Sequence, residues 1–178
     1  MKATGIVRRI DDLGRVVIPK EIRRTMRIRE GDPLEIYTDR DGEVIFKKYS
    51  PIGELGDFAG QICESLHKTT DGIAAVCDRD SVIAVSGAPR RELLDKRISP
   101  SLERLMNARS AVRFEGGSPV HIADGEDKYT ASVAAPILSE GDVMGCVLFA
   151  SADSAPGGEL EFKLAQTVAA FLGKQMES

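Results

Sequence analysis

Nine lysines and arginines crowd the first 29 positions of this 178-residue sequence, against three acidic residues. That segment carries a formal charge of +6, whereas the whole chain carries −4. Seven of the nine are arginines, whose planar guanidinium pairs with phosphate oxygens and guanine edges through two N–H groups at once. A basic segment on an acidic protein favours a polyanionic ligand; a merely solvated basic surface is the alternative.

A short helix is predicted for residues 19–26, PKEIRRTM, because proline is well suited to the first turn of a helix. A rotation of 100° per residue puts Ile22 and Met26 on one side of it. The cations of this stretch then share the opposite face: Lys20, Arg23, Arg24 and Arg27. The helix is too short to be a recognition helix of the helix-turn-helix kind. We therefore expect a binding surface built from loops and helix ends of two chains.

The other elements of the first 50 residues are short predicted strands. Hydrophobic patterns indicate strands at 3–10, 14–18, 34–38 and 43–48. Gly14 and the Asp41-Gly42 pair suit the tight turns between them. A domain of about 50 residues without a metal or disulfide buries too little surface to be stable alone. We therefore expect residues 1–50 to complete their core with a second copy of the chain.

A larger domain is predicted for residues 54–178, after a hinge at 51–53. Its expected elements, in order, are a helix at 54–68, strands at 73–77 and 82–86, a helix at 99–109, strands at 111–114, 119–123, 129–137 and 143–150, and a helix at 159–176. Apolar residues on the first and last of these helices are predicted to mediate oligomerisation: Leu55, Phe58, Ile62, Leu66, Leu164, Val168 and Phe171. The predicted fold class is α+β, with a mainly antiparallel sheet flanked by helices.

No catalytic site, metal centre or cofactor is predicted. The cysteines Cys63, Cys77 and Cys146 are an odd number without a C-x-x-C pair, and only two histidines accompany them. We expect Cys77 and Cys146 to be core residues rather than redox or ligating groups. No apolar run is long enough to cross a membrane and no signal peptide is visible, so the expected compartment is a reducing cytoplasm.

Residues 2–48 resemble the DNA-binding domain of the AbrB-type transition-state regulators of spore-forming bacteria. The resemblance rests on one ordered pattern: Gly5, Arg8, Asp11, Gly14-Arg15, Val17, Pro19, Ile22-Arg23-Arg24 and Gly31-Asp32. It implies a swapped-hairpin β-barrel, formed by two interleaved chains, that binds double-stranded DNA. The DNA-facing arginines of that family match Arg8, Arg15, Arg23 and Arg24. Charge and helix geometry add further expected contacts: Lys2, Arg9, Lys20 and Arg27.

The stretch VAAPILSEGDVMGCVLFAS resembles the central hairpin of a GAF domain, with Gly145 where two strands pack closely. The whole arrangement, an AbrB-type head before a GAF-like tail, is similar to a family of sporulation transcription regulators. That resemblance implies a homotetramer, assembled as a dimer of dimers through contacts between the tails. It also implies activation or repression of genes in the developing forespore, and a place on the nucleoid.

Two other classes of protein share parts of this pattern. Swapped-hairpin heads also occur in antitoxins, but those carry a short disordered tail where this chain has a folded domain. One GAF family reduces free methionine sulfoxide with cysteines clustered around its pocket. Here Cys63 and Cys146 are far apart in the sequence and residues 87–128 contain no cysteine, which argues against that enzyme.

A small-molecule ligand is a further possibility for the tail. GAF folds bind ligands between the sheet and the loops that cover it, here residues 86–128. Basic and acidic residues are mixed in that stretch, which disfavours a nucleotide. We expect either a neutral or zwitterionic ligand or an empty pocket, and the empty pocket is favoured.

Overall fold

The structure is a computed structural model that describes residues 5–177. It divides into an N-terminal unit, Met1–Tyr49, and a C-terminal unit, Ser50–Ser178. The predicted hinge residues, 51–53, fall in the C-terminal unit, where Ile52 is fully buried. The predicted DNA contact Lys2 lies outside the described residues.

The N-terminal unit contains one helix and one antiparallel hairpin. Helix α1 spans Lys20–Met26, and strands β1 and β2 span Leu34–Thr38 and Val44–Lys48. The register places Leu34 opposite Lys48. Asp39 organises the connecting turn, since its carboxylate accepts hydrogen bonds from the backbone of Asp41 at 3.0 Å and of Glu43 at 2.9 Å. The hairpin predicted from the Asp-Gly pair is therefore confirmed.

Residues 5–10 and 14–18, which belong to two predicted strands, form no strand within one chain; residues 3–4 of the first strand lie outside the described part. No strand ladder includes residues 5–18; only a tight turn is closed there, by the backbone of Asp11, Gly14 and Arg15. A strand needs a partner to satisfy its backbone hydrogen bonds. Among the described residues, β1 and β2 pair only with each other. The swapped barrel would draw its missing partners from a second chain, and it stays a prediction.

The N-terminal unit has almost no interior of its own. Among residues 5–49, Pro19 alone is buried. Val7 is 93% exposed and Ile36 is 64% exposed. Other large apolar side chains are exposed as well: Ile6, Ile10, Leu13, Val16, Val17, Met26, Tyr37, Val44 and Phe46. Most of the apolar surface that would form a core is therefore exposed to solvent.

The C-terminal unit is a five-stranded antiparallel sheet with helices on both sides. Its helices are α2, Gly56–Thr70, preceded by a 3-10 turn at Gly53–Leu55; α3, Arg90–Leu93; α4, Pro100–Asn107; and α5, Glu159–Gln175. Its strands are β3, Ile73–Asp78; β4, Val82–Ser86; β5, Val112–Arg113; β6, Thr130–Ser139; and β7, Asp142–Ser151. The strand order is β4-β3-β7-β6-β5. The predicted α+β class is confirmed.

Both faces of this sheet are covered, and successive residues of one strand enter different cores. In β3, Ala74 and Val76 pack in the core beneath α2 and α5. Their neighbours Ala75 and Cys77 pack in the core beneath α3 and α4. A strand buried on both faces has consecutive apolar residues instead of alternating ones, which explains the sequence IAAVC.

Two predictions about this unit have different outcomes. Ser99 caps α4 as expected, because its hydroxyl accepts a hydrogen bond from the backbone of Leu102 at 3.0 Å. The strand predicted at 119–123 is wrong: that segment pairs only through isolated bridges, such as His121 with Thr130. Its apolar residue Ile122 is buried as part of the covering layer, so burial rather than a strand ladder explains the pattern.

Gly145 marks a close approach of two strands. It lies opposite Asp78 in the register of β3 with β7. A Cβ atom added at Gly145 would lie 2.1 Å from the carbonyl oxygen of Cys77, well inside van der Waals contact. The tight packing predicted for this glycine is confirmed.

We expect Gly145→Ala to lower the free energy of unfolding by about 1–3 kcal/mol, because a backbone atom in a paired strand must move. Gly60→Ala is the matched control, since nothing lies within 4 Å of a Cβ added at that helical position. The control should be neutral or raise the stability by up to about 1 kcal/mol. Urea unfolding at one protein concentration compares them. Equal stabilities would show that β3 and β7 have room at this position.

Candidate nucleic-acid interface

The four arginines predicted to contact DNA all have exposed side chains. Arg8 precedes the turn formed by residues 11–14, and Arg15 follows it directly. Arg23 and Arg24 lie on α1. Two structural features therefore present the predicted contacts: a tight turn and a short helix.

Asp11 organises the turn and also holds Arg15. One carboxylate oxygen, Oδ1, accepts hydrogen bonds from the backbone of Leu13 at 3.0 Å and of Arg15 at 2.8 Å. The other oxygen, Oδ2, accepts from Arg15 Nε at 2.7 Å. Gly14 supplies the left-handed backbone that this turn requires, at φ +79°. Sequence reasoning included Asp11 in the family pattern but not among the site residues. The sequence signal that could have identified Asp11 is an aspartate four residues before an arginine, with a turn glycine between them.

Helix α1 begins immediately after Pro19, so this proline occupies the capping position rather than the first helical residue predicted. Its carbonyl accepts the first helical hydrogen bond, from the backbone of Arg23 at 3.0 Å. Arg23 Nε also donates to the Ile18 carbonyl at 3.1 Å, which holds this arginine against the start of the helix. Arg23 and Arg24, the two arginines of α1 predicted to contact DNA, keep exposed side chains in this arrangement.

The additional basic residues differ in their surroundings. Arg9 and Lys20 are exposed, as a DNA contact requires. Arg27 is half-buried and ends the helix in the left-handed conformation, with φ +53°. Its carbonyl accepts a hydrogen bond from Lys48 Nζ at 2.9 Å. Arg27 is thus tied into the unit more closely than the other predicted contacts.

Two phenylalanines predicted to mediate oligomerisation lie side by side on the C-terminal unit. The ring centroids of Phe58 on α2 and Phe171 on α5 are 6.1 Å apart. Phe58 is 37% exposed and Phe171 is 46% exposed. The half-buried members of the predicted set surround them on the same two helices or just before α2: Leu55, Ile62, Leu164 and Val168.

Leu66 belongs to the interior instead. It is only 5% exposed and packs in the core beneath α2 and α5. A side chain buried within the protomer has little surface left for a partner, so we leave Leu66 out of the proposed interface. The helical pattern could not distinguish a residue facing its own sheet from one facing a neighbour.

The segment expected to cover a ligand pocket contributes side chains to the hydrophobic core. Leu93, Ile98, Leu102 and Ile122 are fully buried between the sheet and the segment that covers it. Tyr129, also buried, donates its hydroxyl proton to Glu92 of α3. This hydrogen bond and the neighbouring Lys128 ammonium hold the pKa of Glu92 below its ordinary value.

All three cysteines are buried. Burial raises the pKa of Cys63 to about 12. A hydrogen bond with Cys146 and burial raise the pKa of Cys77. Cys63 packs on one side of the sheet, and Cys77 and Cys146 pack on the other. The raised pKa values keep the thiols of Cys63 and Cys77 protonated at neutral pH, and a protonated thiol is a poor nucleophile.

Residues 5–177 contain neither a cluster of metal-binding side chains nor a membrane-spanning helix. No cluster of three or more His, Cys, Asp or Glu residues is placed to hold a metal ion there. Within the same range, no helix has the length and apolar character needed to cross a membrane.

Comparison with known families matches both parts of the sequence. The profile described as "Stage V sporulation protein T C-terminal, transcription factor" matches residues 54–177. The profile described as "Antidote-toxin recognition MazE, bacterial antitoxin" matches residues 7–53. The transition state regulatory protein AbrB of Bacillus subtilis (strain 168) is 65% identical over 63 residues, covering 32% of this chain and 65% of AbrB.

A solved GAF domain of a phosphoenolpyruvate-protein phosphotransferase from Coxiella burnetii shares the fold. It is 16% identical, has a TM-score of 0.54, and covers 68% of this chain and 82% of its own. Stage V sporulation protein T of Bacillus subtilis (strain 168) is 55% identical over 178 residues, covering 99% of both chains. The protein described here therefore belongs to the stage V sporulation protein T family of transcription factors.

Proposed function

We propose that this protein regulates sporulation genes by binding double-stranded DNA through the arginines of its N-terminal unit, on the nucleoid of the developing forespore. The observation that carries the proposal is the exposed set Arg8, Arg15, Arg23 and Arg24, presented by a hydrogen-bonded turn and a short helix. Residues 51–178 carry a net charge of −7, which repels DNA and confines binding to the basic end.

The N-terminal unit functions as a homodimer in this proposal. Its apolar residues are exposed in the single chain, and residues 5–18 lack strand partners. At one interface, a second copy would bury these apolar residues and supply strand partners to residues 5–18. The dimer also doubles the number of arginines that face the DNA.

The C-terminal unit joins such dimers into a homotetramer. The exposed pair Phe58 and Phe171 offers an aromatic patch that α2 and α5 share. Aromatic side chains are enriched at the centres of interfaces because they bury a large area at a small entropic cost. Joining two DNA-binding heads raises avidity without any new contact to the DNA.

The alternatives fit the structure less well. The reductase alternative requires reactive cysteines at a pocket, and the cysteines here are buried with raised pKa values at Cys63 and Cys77. An antitoxin would bind its toxin through a short tail, and this chain has a folded domain of two cores in that place. The packed layer around Leu93 and Leu102 favours an assembly role for the tail over a sensor role.

The first test removes the four DNA-facing arginines together. Replacing Arg8, Arg15, Arg23 and Arg24 by Ala should weaken DNA binding and flatten the plot of log K against log salt. The slope should fall by about 0.9 for each phosphate contact that is lost. Fluorescence anisotropy of a labelled duplex over a range of salt concentrations measures both quantities.

The control for this variant removes four exposed arginines from the C-terminal unit: Arg90, Arg91, Arg104 and Arg109. It makes the same change in net charge and should keep the salt slope of the wild type. If the head variant is folded and oligomeric yet binds with an unchanged slope, these arginines do not contact the phosphates.

The second test concerns the head dimer. Ile36→Lys places a charge on an exposed apolar position of β1, which costs nothing in a monomer but is buried in the proposed dimer. We expect the full-length protein to fall from tetramer to dimer in light scattering. Asp41→Lys, at the exposed tip of the same hairpin, adds positive charge away from this apolar face and should leave the mass unchanged. Wild-type mass in both variants would argue against the dimer.

The third test concerns the tail. The double change Phe58→Lys and Phe171→Lys should halve the mass of the full-length protein and lower its DNA affinity by about 10²–10⁴-fold through lost avidity. Glu64→Gln with Gln166→Lys makes the same change in net charge at exposed polar positions on other sides of α2 and α5. That control should remain tetrameric. A tetramer that survives the phenylalanine changes is joined by another surface.

A further inference from the structure

We infer that Asp11 is a positioning residue that orients the Arg15 guanidinium for reading the DNA sequence. The inference rests on the proposed DNA-binding function and deepens it. Its basis is the contact between Asp11 Oδ2 and Arg15 Nε, at 2.7 Å. A charge-assisted hydrogen bond of this length holds the planar guanidinium group in one orientation.

The two carboxylate oxygens of Asp11 have separate roles. Oδ1 closes the turn, because it accepts from the backbone of Leu13 and of Arg15. Oδ2 faces the Arg15 side chain. The backbone of Asp11 also donates to the Arg15 carbonyl at 3.0 Å. The turn is thus closed by Oδ1 and the backbone, and Oδ2 is left to act on the guanidinium.

This arrangement uses the inner nitrogen of Arg15 and leaves the outer edge of the guanidinium for a ligand. An arginine has five N–H donors, four of them on its two terminal nitrogens. The Arg15 side chain is 70% exposed, so those terminal nitrogens can meet a base edge or a phosphate. Two N–H groups held in a fixed plane match the paired acceptors on the major-groove edge of guanine.

A carboxylate beside a DNA-binding arginine has an electrostatic cost. Asp11 is exposed and repels phosphates, so a surface that bound DNA by charge alone would bind better without it. The backbone N–H of Arg15 and its guanidinium hold the pKa of Asp11 below its ordinary value, so the carboxylate stays charged at neutral pH. A carboxylate kept at this position lowers the affinity for DNA. Its role is therefore to orient the Arg15 guanidinium, which serves sequence specificity.

The adjacent residue offers a matched control. Asp12 is also exposed, and no hydrogen bond or ion pair joins it to Arg15 in the described part of the chain. Asp11→Asn and Asp12→Asn remove the same charge from neighbouring positions. Asparagine at position 11 keeps an oxygen that can accept the two backbone hydrogen bonds of the turn. Its amide nitrogen cannot accept from Arg15 Nε.

The experiment uses full-length protein and two duplexes of equal length and base composition. One is a site that the wild-type protein protects in footprinting; the other is its shuffled sequence. Binding is measured for both over a range of salt concentrations. We expect Asp12→Asn to bind both duplexes more tightly and to keep the ratio of the two affinities. Asp11→Asn should bind the shuffled duplex at least as well as the wild type and lower the ratio about tenfold.

A second variant tests the same contact by changing Arg15 instead of Asp11. Arg15→Lys keeps the positive charge but loses the planar fork and the Nε donor. It should lower the affinity ratio as Asp11→Asn does. Adding Asp11→Asn to Arg15→Lys should lower the ratio no further, because the group that Asp11 orients is then absent.

The outcomes separate this inference from the function on which it rests. If footprinting with the wild type finds no protected site, the proposed DNA-binding function fails, and the inference fails with it. If the wild type discriminates between the duplexes and Asp11→Asn keeps the ratio shown by Asp12→Asn, only the inference fails. A further drop in the ratio on adding Asp11→Asn to Arg15→Lys would assign Asp11 a role in the turn alone.

Discussion

Burial of apolar side chains is the constraint on which both units depend, and they meet it in different ways. The C-terminal unit covers both faces of its sheet with its own helices, so residues such as Val76 and Leu148 are fully buried. Residues 5–49 of the N-terminal unit form a single hairpin and one short helix, too little structure to cover their own apolar residues. In the proposed dimer a second copy supplies the missing cover, which couples completion of the fold to assembly.

The proposed DNA interface is built from local interactions rather than from a core. Arg15 is held by a carboxylate four residues away, and Arg23 by a carbonyl five residues away. Such contacts position side chains at the edge of a unit that has almost no interior. In the proposed dimer, two-fold symmetry would bring two copies of the turn and two copies of the helix into one basic surface.

Much of this structure could be predicted from the sequence where the signal is local. The Asp41-Gly42 turn and the Ser99 cap depend on neighbouring residues. The assignment of the DNA-contacting arginines depends on a family pattern and stays a prediction. Other features depend on distant parts of the molecule. The strands expected at 3–10 and 14–18 need partners that a single chain does not supply, and Ile122 is buried without a strand ladder. Adjacent aspartates at 11 and 12 look alike in sequence; only the folded turn shows which one meets Arg15.

The burial of the three cysteines has a consequence for the chemistry of the protein in solution. Electrophiles and oxidants react with the thiolate, and a thiol shielded from solvent with a pKa of about 12, such as Cys63, offers almost none at neutral pH. The native thiols should therefore survive conditions that modify exposed cysteines. A cysteine introduced on the surface of the N-terminal unit could then carry a maleimide dye while Cys63, Cys77 and Cys146 remain in place.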